Sequence, residues 1–118
     1  MGRKAPGKYK NGGIYIDRKV FQKVEERSEG YCEYEQCKIW GGKNLHKHHA
    51  FNGANRRKME MEETVFDLCW EHHEGNTGVH RNRELDLHFK KLATKNLINL
   101  GWSKAKIIKE VGRYYLDE

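Results

Sequence analysis

Two closely spaced pairs of cysteine and histidine constrain the fold of this chain more than any other feature. Cys32 and Cys37 are separated by four residues, and Cys69 and His72 by two. Such spacings let a tight turn direct both side chains of a pair at one ion, and three thiolates with one imidazole complete a tetrahedral zinc site. We therefore expect a structural Zn²⁺ on these four residues. His73 adjoins His72, so the spacing leaves open which of the two is the fourth ligand.

The composition gives a physical reason for such a metal. Of the 118 residues, 36% are hydrophobic and 34% are charged, which is little apolar material for a domain of this size. A structural metal commonly compensates for a thin core. The three cysteines are an odd number, which does not favour a disulfide framework. There is no apolar run long enough for a membrane span or a secretory signal, so we expect a reducing cytoplasm.

Residues 1–13 are predicted to be a flexible basic arm, because glycines and the single proline interrupt any periodicity and no acidic residue is present. Such an arm is equally compatible with contacts to phosphates and with a disordered tail. Residues 14–118 are predicted to form a single domain, with a core at about 20–82 and helices over 83–118. The basic residues of the arm are Arg3, Lys4, Lys8 and Lys10.

Capping residues and periodicity predict the secondary structure. Asp17 is a credible N-cap for a helix over 18–28, Asn82 for one over 83–99, and Ser103 for a last short helix. Gly101 is expected to end the second of these helices. Two short strands are predicted at 45–51 and 64–68. In the last helix, the residues expected to pack inward are Ile107, Ile108 and Val111.

Histidines are the second unusual feature. Six of the seven lie between positions 46 and 80, including the adjacent pairs His48-His49 and His72-His73. A zinc site uses only one of them, so the remainder indicate a second site. Hydrolysis of a phosphodiester needs a base near neutral pH and a cation to neutralise the phosphate. We expect His49 to be the base, and His48 and His73 to hold a catalytic divalent cation.

The charge favours an anionic partner. The formal net charge is +6, which favours an anionic partner such as nucleic acid. We expect DNA, with a double-stranded substrate first. A basic loop and a nearby arginine are expected to contact phosphates rather than bases. These residues are Arg56, Arg57, Lys58 and Arg81.

Three stretches, 24–32, 45–51 and 68–73, resemble the HNH endonucleases, the ββα-metal class. In that family a metal-binding residue directly precedes the general base, which matches His48 and His49. The pattern of two zinc ligands followed by a metal-binding histidine matches Cys69, His72 and His73. The resemblance covers about residues 20–82. It implies an α+β fold, with a ββα-metal core stapled by zinc and flanking helices at both ends, and a metal-dependent DNA endonuclease. The carboxyl-terminal stretch resembles a small phage-type subgroup, which would place the protein in the host cytoplasm.

Several departures from the family pattern matter. The family usually has an acidic residue where His48 stands, and an all-histidine site makes Mn²⁺, Ni²⁺ or Zn²⁺ as plausible as Mg²⁺. In the family an asparagine orients the general base. Thr64 stands near that position in this chain, and Asn52, Asn55 and Asn76 are the alternatives for the orienting role. Residues 74–78 should interrupt the family's helix, which makes His80 a third candidate ligand. His46 is a rival, because alternate residues of a regular strand share a face.

Two other function classes remain. A non-catalytic zinc-binding module for nucleic acid would keep the scaffold but would not need the surplus histidines. A zinc domain for protein interaction would not need the basic charge.

Overall fold

The structure, a computed structural model, describes residues 8–11 and 14–118. In that part of the chain the fold is α+β, as predicted, with four α-helices and two separate two-stranded antiparallel sheets. No helix among the described residues is long and apolar enough to cross a membrane. The elements in chain order are β1 (Lys8–Asn11), β2 (Ile14–Asp17), α1 (Arg18–Ser28), β3 (His46–His49), β4 (Val65–Leu68), α2 (Trp70–His73), α3 (Arg83–Leu100) and α4 (Lys104–Val111).

The predicted basic arm coincides only in part with described residues. Residues 1–7, 12 and 13 lie outside them. Residues 8–11 are a strand instead of an arm: β1 pairs antiparallel with β2, and Lys8 lies opposite Asp17. The reason is that two adjacent extended segments satisfy each other's backbone hydrogen bonds.

The helix ends confirm the predicted caps. The Asp17 side chain accepts a hydrogen bond from the Lys19 N–H, and Asn82 and Ser103 cap α3 and α4 in the same way. Gly101 ends α3 with φ 111°, a left-handed conformation that favours glycine. The starts of all three helices and the end of α3 follow from local chemistry that is readable in the sequence.

The prediction that Ile108 packs inward is wrong. Ile107 and Val111 are buried, but the Ile108 residue is 43% exposed. Consecutive residues of an α-helix point about 100° apart, so Ile107 and Ile108 cannot both face the core. The largest fully buried apolar side chains are Val24, Val65, Leu68, Phe89, Leu97 and Ile107.

The sheet of β3 and β4 positions the histidine-rich segment. Both strands lie within the predicted stretches, and their register sets His48 opposite Phe66 and Lys47 opposite Asp67. Cross-strand partners share a face, and successive residues alternate between faces. Phe66 packs against Phe89 of α3, with ring centroids 5.1 Å apart. The face that carries His48 therefore looks towards α3.

The opposite face carries a buried ion pair. The Lys47 Nζ lies 2.8 Å from the Asp67 Oδ1, and the two side chains are 4% and 1% exposed. Asp67 also accepts a hydrogen bond from the Ser28 hydroxyl at 2.6 Å, and the Lys47 Nζ lies 3.9 Å from the centroid of the Phe21 ring. These contacts fasten α1 to the sheet.

We expect Asp67→Asn to destabilise the protein by about 3 kcal/mol, because removal of one partner leaves the Lys47 charge buried without compensation. Urea denaturation measures the change in the free energy of unfolding. Asp86→Asn is the matched control, since Asp86 pairs with Lys90 at a partly exposed position and should cost less than about 1 kcal/mol. Equal losses in both variants would contradict this role for the buried pair.

Candidate metal and catalytic site

The first cysteine pair lies in a tight turn that follows α1. The Cys32 N–H donates to the Ile39 carbonyl, and the Cys37 N–H donates to the Tyr34 carbonyl, each at 2.8 Å. These bonds fold the chain back on itself. Both thiols are thereby directed to the same side of the turn.

The second pair lies where β4 gives way to α2. Cys69 is the N-cap of α2, and His72 lies within its single turn. The Cys69 Sγ is 3.3 Å from the His72 Nδ1 and 3.8 Å from the Cys37 Sγ. The sulfur and nitrogen atoms of Cys32, Cys37, Cys69 and His72 all lie within 4.8 Å of one another.

This spacing fits one tetrahedral ion. Two sulfurs bound at about 2.3 Å to such an ion are about 3.8 Å apart, which is the separation of the Cys37 and Cys69 sulfurs. A disulfide would need about 2.05 Å, and all three cysteines are free. Burial raises the pKa of the Cys32 thiol to about 12, so a metal ion must displace its proton and binding should strengthen with pH. The four residues can hold a metal ion.

A second cluster joins His48, His73 and His80. They come from β3, α2 and the loop after α2, and their ring nitrogens lie within 4.8 Å of one another. The His73 Nε2 is 3.3 Å from the His80 Nε2. Two nitrogens bound at 2.0–2.1 Å to a tetrahedral ion are about 3.3 Å apart. The three histidines therefore have a spacing that fits a shared cation, and His73 belongs to this cluster rather than to the cysteine cluster.

Two glycines bring His80 back to His73. The helix is interrupted after His73, as predicted, and a Cβ on Gly75 or Gly78 would lie 2.7 Å or 2.8 Å from the Glu71 carbonyl oxygen. Only glycine permits so close an approach. The returning chain is held by a hydrogen bond from the Val79 N–H to the His72 carbonyl at 2.9 Å.

His46 lies on the other side of the His73 ring. Its Nδ1 is 2.8 Å from the His73 Nδ1, and the Glu74 Oε2 is 3.4 Å from that same nitrogen. Ligand atoms of His46, His73 and Glu74 thus form a further group within 4.8 Å. The two ring nitrogens of His73 face different neighbours.

Two of the clustered histidines, His48 and His73, are held in the neutral form. Burial lowers the pKa of His48 to about 2, and the neighbouring His73 and His80 contribute. Burial likewise lowers the pKa of His73 to about 4, with His80 as the next cause. Neutral imidazole is the form that binds metal ions, so the site needs no loss of protons from these two rings at pH 7.

His49 lies at the end of β3 and is also buried. Its Nε2 is 3.1 Å from the Glu60 Oε2, and the two side chains are 3% and 6% exposed. The other oxygen of Glu60 accepts from the Asp17 N–H at 3.3 Å. Burial lowers the pKa of His49, while the hydrogen bond to Glu60 raises it. The carboxylate thus holds the ring in one orientation.

Thr64, the predicted orienting residue, forms hydrogen bonds with the loop that precedes it and not with the His49 ring. Its hydroxyl donates to the Met59 carbonyl and accepts from the Met61 N–H at 3.2 Å. Its own carbonyl accepts from the Ala50 N–H at 2.9 Å, directly after β3. Of the three asparagine substitutes, Asn55 donates to the Val111 carbonyl, and Asn52 and Asn76 are exposed.

The four predicted phosphate-binding residues differ in their surroundings. Arg56 is half-buried, and its charge lowers the pKa of both His49 and His73, so it lies near both. Arg57 and Arg81 are exposed. Lys58 is also exposed, and its Nζ is 3.6 Å from the Glu110 Oε1.

Several buried polar atoms at this site lack a hydrogen-bond partner within the described residues. They are the His48 Nε2, the His49 Nδ1 and the Arg56 Nε. Buried polar atoms without partners are rare, and each usually marks an ion, a water or a ligand. Atoms of this kind on His48, His49 and Arg56 indicate that this part of the molecule can receive an ion, a water or a ligand.

Sequence reasoning missed Glu60. The residue lies in the segment Met59-Glu60-Met61-Glu62-Glu63, where nothing distinguishes its carboxylate from its acidic neighbours. Only the fold, which places this loop against the end of β3, selects it. Lys47, between His46 and His48, gave no signal of its buried role either.

We expect the purified protein to contain one tightly bound metal ion per chain, and Cys69→Ser to lose both the ion and the folded state, because metal affinity is folding energy in a small domain. Metal analysis and circular dichroism measure the two losses. His88→Ala, at an exposed histidine outside both clusters, should retain both. Undiminished metal content in Cys69→Ser would contradict the assignment of this cluster.

The stability of the protein should also depend on pH through His48. Its folded pKa lies below the unfolded value of about 6.5, so the unfolded state binds the proton first. The free energy of unfolding, relative to that of His48→Leu, should therefore fall as pH falls from 6.5 to 5, by at most about 1.4 kcal/mol per pH unit. Denaturation without added divalent cation measures this difference, and parallel curves for the two proteins would contradict it.

Comparisons of the chain with known protein families, with curated proteins and with solved structures find no match. The functional assignment therefore rests on the arrangement of side chains described above.

Proposed function

We propose that the protein is a metal-dependent endonuclease of the HNH kind, which hydrolyses DNA phosphodiester bonds. His49 is the general base that activates water. His48, His73 and His80 hold the catalytic cation, and Cys32, Cys37, Cys69 and His72 hold a structural zinc. The order β3, β4, α2, two strands followed by a helix of one turn, is compatible with a ββα-metal core.

The observation that carries the proposal is that three buried polar atoms, on His48, His49 and Arg56, have no hydrogen-bond partner within the described residues. A base, a cation site and a positive charge are what hydrolysis of a phosphodiester needs. The His49 Nδ1, the His48 Nε2 and the Arg56 Nε offer one of each. A module that only binds nucleic acid has no use for two buried imidazoles next to an arginine.

The zinc assignment rests on the chemistry of the donors. Three thiolates and one imidazole form a closed tetrahedral set, which is typical of structural zinc. All four positions are supplied by the protein, so no position is open for water or substrate. This cluster would hold the turn after α1 against α2.

The base assignment rests on the contact between His49 and Glu60. With its Nε2–H donating to the carboxylate at 3.1 Å, neutral His49 presents the lone pair of Nδ1, which is the atom able to accept a proton from water. A carboxylate partner also stabilises the imidazolium that forms, as in other histidine–carboxylate pairs. Glu60 is therefore a positioning residue for the base.

The three-histidine cluster fits a divalent cation. Its all-imidazole donor set favours Mn²⁺, Ni²⁺ or Zn²⁺ over Mg²⁺, which prefers oxygen ligands. When bound, the cation would neutralise charge that develops on the scissile phosphate and the leaving oxygen. The low pKa values of His48 and His73 keep both rings ready to bind it.

The phosphate-binding role falls mainly on Arg56. Its charge acts on both His49 and His73, so a phosphate bound by its guanidinium would be within electrostatic reach of both residues. Arg57 and Arg81 are exposed and would be accessible to the DNA backbone. Lys58 would first have to release Glu110, from which it is 3.6 Å distant.

A supercoiled plasmid tests the proposal. Zinc-loaded protein should nick it when Mn²⁺, Ni²⁺, Zn²⁺ or Mg²⁺ is added, and His49→Ala should lower the rate about 100-fold or more, which is the usual contribution of a general base. Glu60→Gln should give an intermediate loss, because an amide holds the ring without stabilising the imidazolium. Agarose gels measure the conversion of supercoiled into open-circular DNA.

His88→Ala is the matched control and should cut at the normal rate. If the protein binds DNA but does not cut it with any of the four cations, the proposed nuclease activity is contradicted. The remaining function would be that of a nucleic-acid-binding module. Full activity of a folded His49→Ala would show that another group is the base.

A further inference from the structure

We propose that His46 is a positioning residue that fixes the tautomer of His73, so that the His73 Nε2 lone pair faces the cation. This inference rests on the cation site proposed above but not on nuclease activity. His46 and His48 share one face of β3, separated by Lys47 on the other. The rings of His46 and His73 meet edge to face, with centroids 5.0 Å apart.

Distances decide between a ligand and a positioning role. Two nitrogens on one tetrahedral ion are about 3.3 Å apart, as the His73 Nε2 and the His80 Nε2 are. The Nδ1 atoms of His46 and His73 are only 2.8 Å apart, which is the distance of an N–H hydrogen bond. This distance favours a hydrogen bond between the two rings over a shared tetrahedral ion.

The two contacts also use different nitrogens of His73. Its Nε2 faces His80 and its Nδ1 faces His46, and no single ion can reach both sides of one imidazole ring. When the Nε2 binds a cation as neutral imidazole, the proton must be on Nδ1. The Nδ1–H of His73 then donates a hydrogen bond to the Nδ1 of His46, and His46 carries its hydrogen on Nε2.

Glu74 is the competing acceptor. Its Oε2 lies 3.4 Å from the His73 Nδ1, and its side chain is 48% exposed. Water competes for such a carboxylate, whereas His46 is half-buried and closer. His46 is therefore the main acceptor. Loss of a partner of this kind commonly weakens metal binding 10–100-fold.

Titration of zinc-loaded protein with Co²⁺ tests the proposal, with the cation affinity and the visible spectrum as readouts. Wild type should bind one Co²⁺ beyond its zinc. His46→Ala should weaken this binding about 10–100-fold, and His46→Gln, whose amide oxygen can accept the same hydrogen bond, should recover most of the affinity. The spectrum of the saturated site should be the same in all three proteins, because the ligands are unchanged.

Controls separate the outcomes. His88→Ala should bind Co²⁺ as wild type does, and zinc content should be unchanged in every variant, which shows that the fold is intact. Unaltered affinity in His46→Ala would overturn the positioning role, and an altered spectrum at saturation would make His46 a ligand. Failure of wild type to bind a second ion would overturn the cation site itself, whereas cation binding without DNA cleavage would overturn only the nuclease.

Discussion

The register of β3 against β4 decides which side chains of the histidine-rich strand are available for chemistry. With Lys47 opposite Asp67, the buried ion pair lies on the face towards α1, and His46 and His48 lie on the face towards α2 and α3. A slip of one residue would exchange the two faces. It would bury histidines against α1 and leave Lys47 among the imidazoles. The ion pair therefore specifies the site as well as holding the sheet to α1, and breaking it should disturb both.

The cysteine cluster and the histidine cluster are mechanically linked because His72 and His73 are consecutive residues of one short helix. His72 joins the cysteines and His73 joins His48 and His80. An α2 of four residues has too few internal hydrogen bonds to be stable alone. An ion on His72 and Cys69 would fix its position and, with it, the direction of the His73 ring. A structural metal would thus organise the second cation site without touching it.

The parts of the fold that local chemistry determines were predictable from the sequence. The caps Asp17, Asn82 and Ser103 mark helix starts, and the spacing of Cys69 and His72 brings them together within one turn. The contacts that Glu60, Lys47 and His46 make around the site were not predictable, because each depends on a partner that is distant in sequence. Glu60 is 11 residues from His49 and 43 from Asp17, and only the closed loop held by Thr64 brings them together. The exposure of Ile108 shows the same limit, since a run of apolar residues does not say which of them meets the core.

If His49 is the base of the proposed nuclease, Arg56 would make it a stronger base when substrate binds. Burial lowers the pKa of His49, and the positive charge of Arg56 lowers it further. In the proposed reaction a phosphate bound to Arg56 would neutralise that charge, which removes one of the causes that lower the pKa of His49. Glu60 would then act with less opposition to favour the imidazolium. His49 would accept a proton most readily when a phosphodiester is in place, and less readily from bulk water. Arg56 would thus couple substrate binding to base strength, beyond any attraction it adds for DNA.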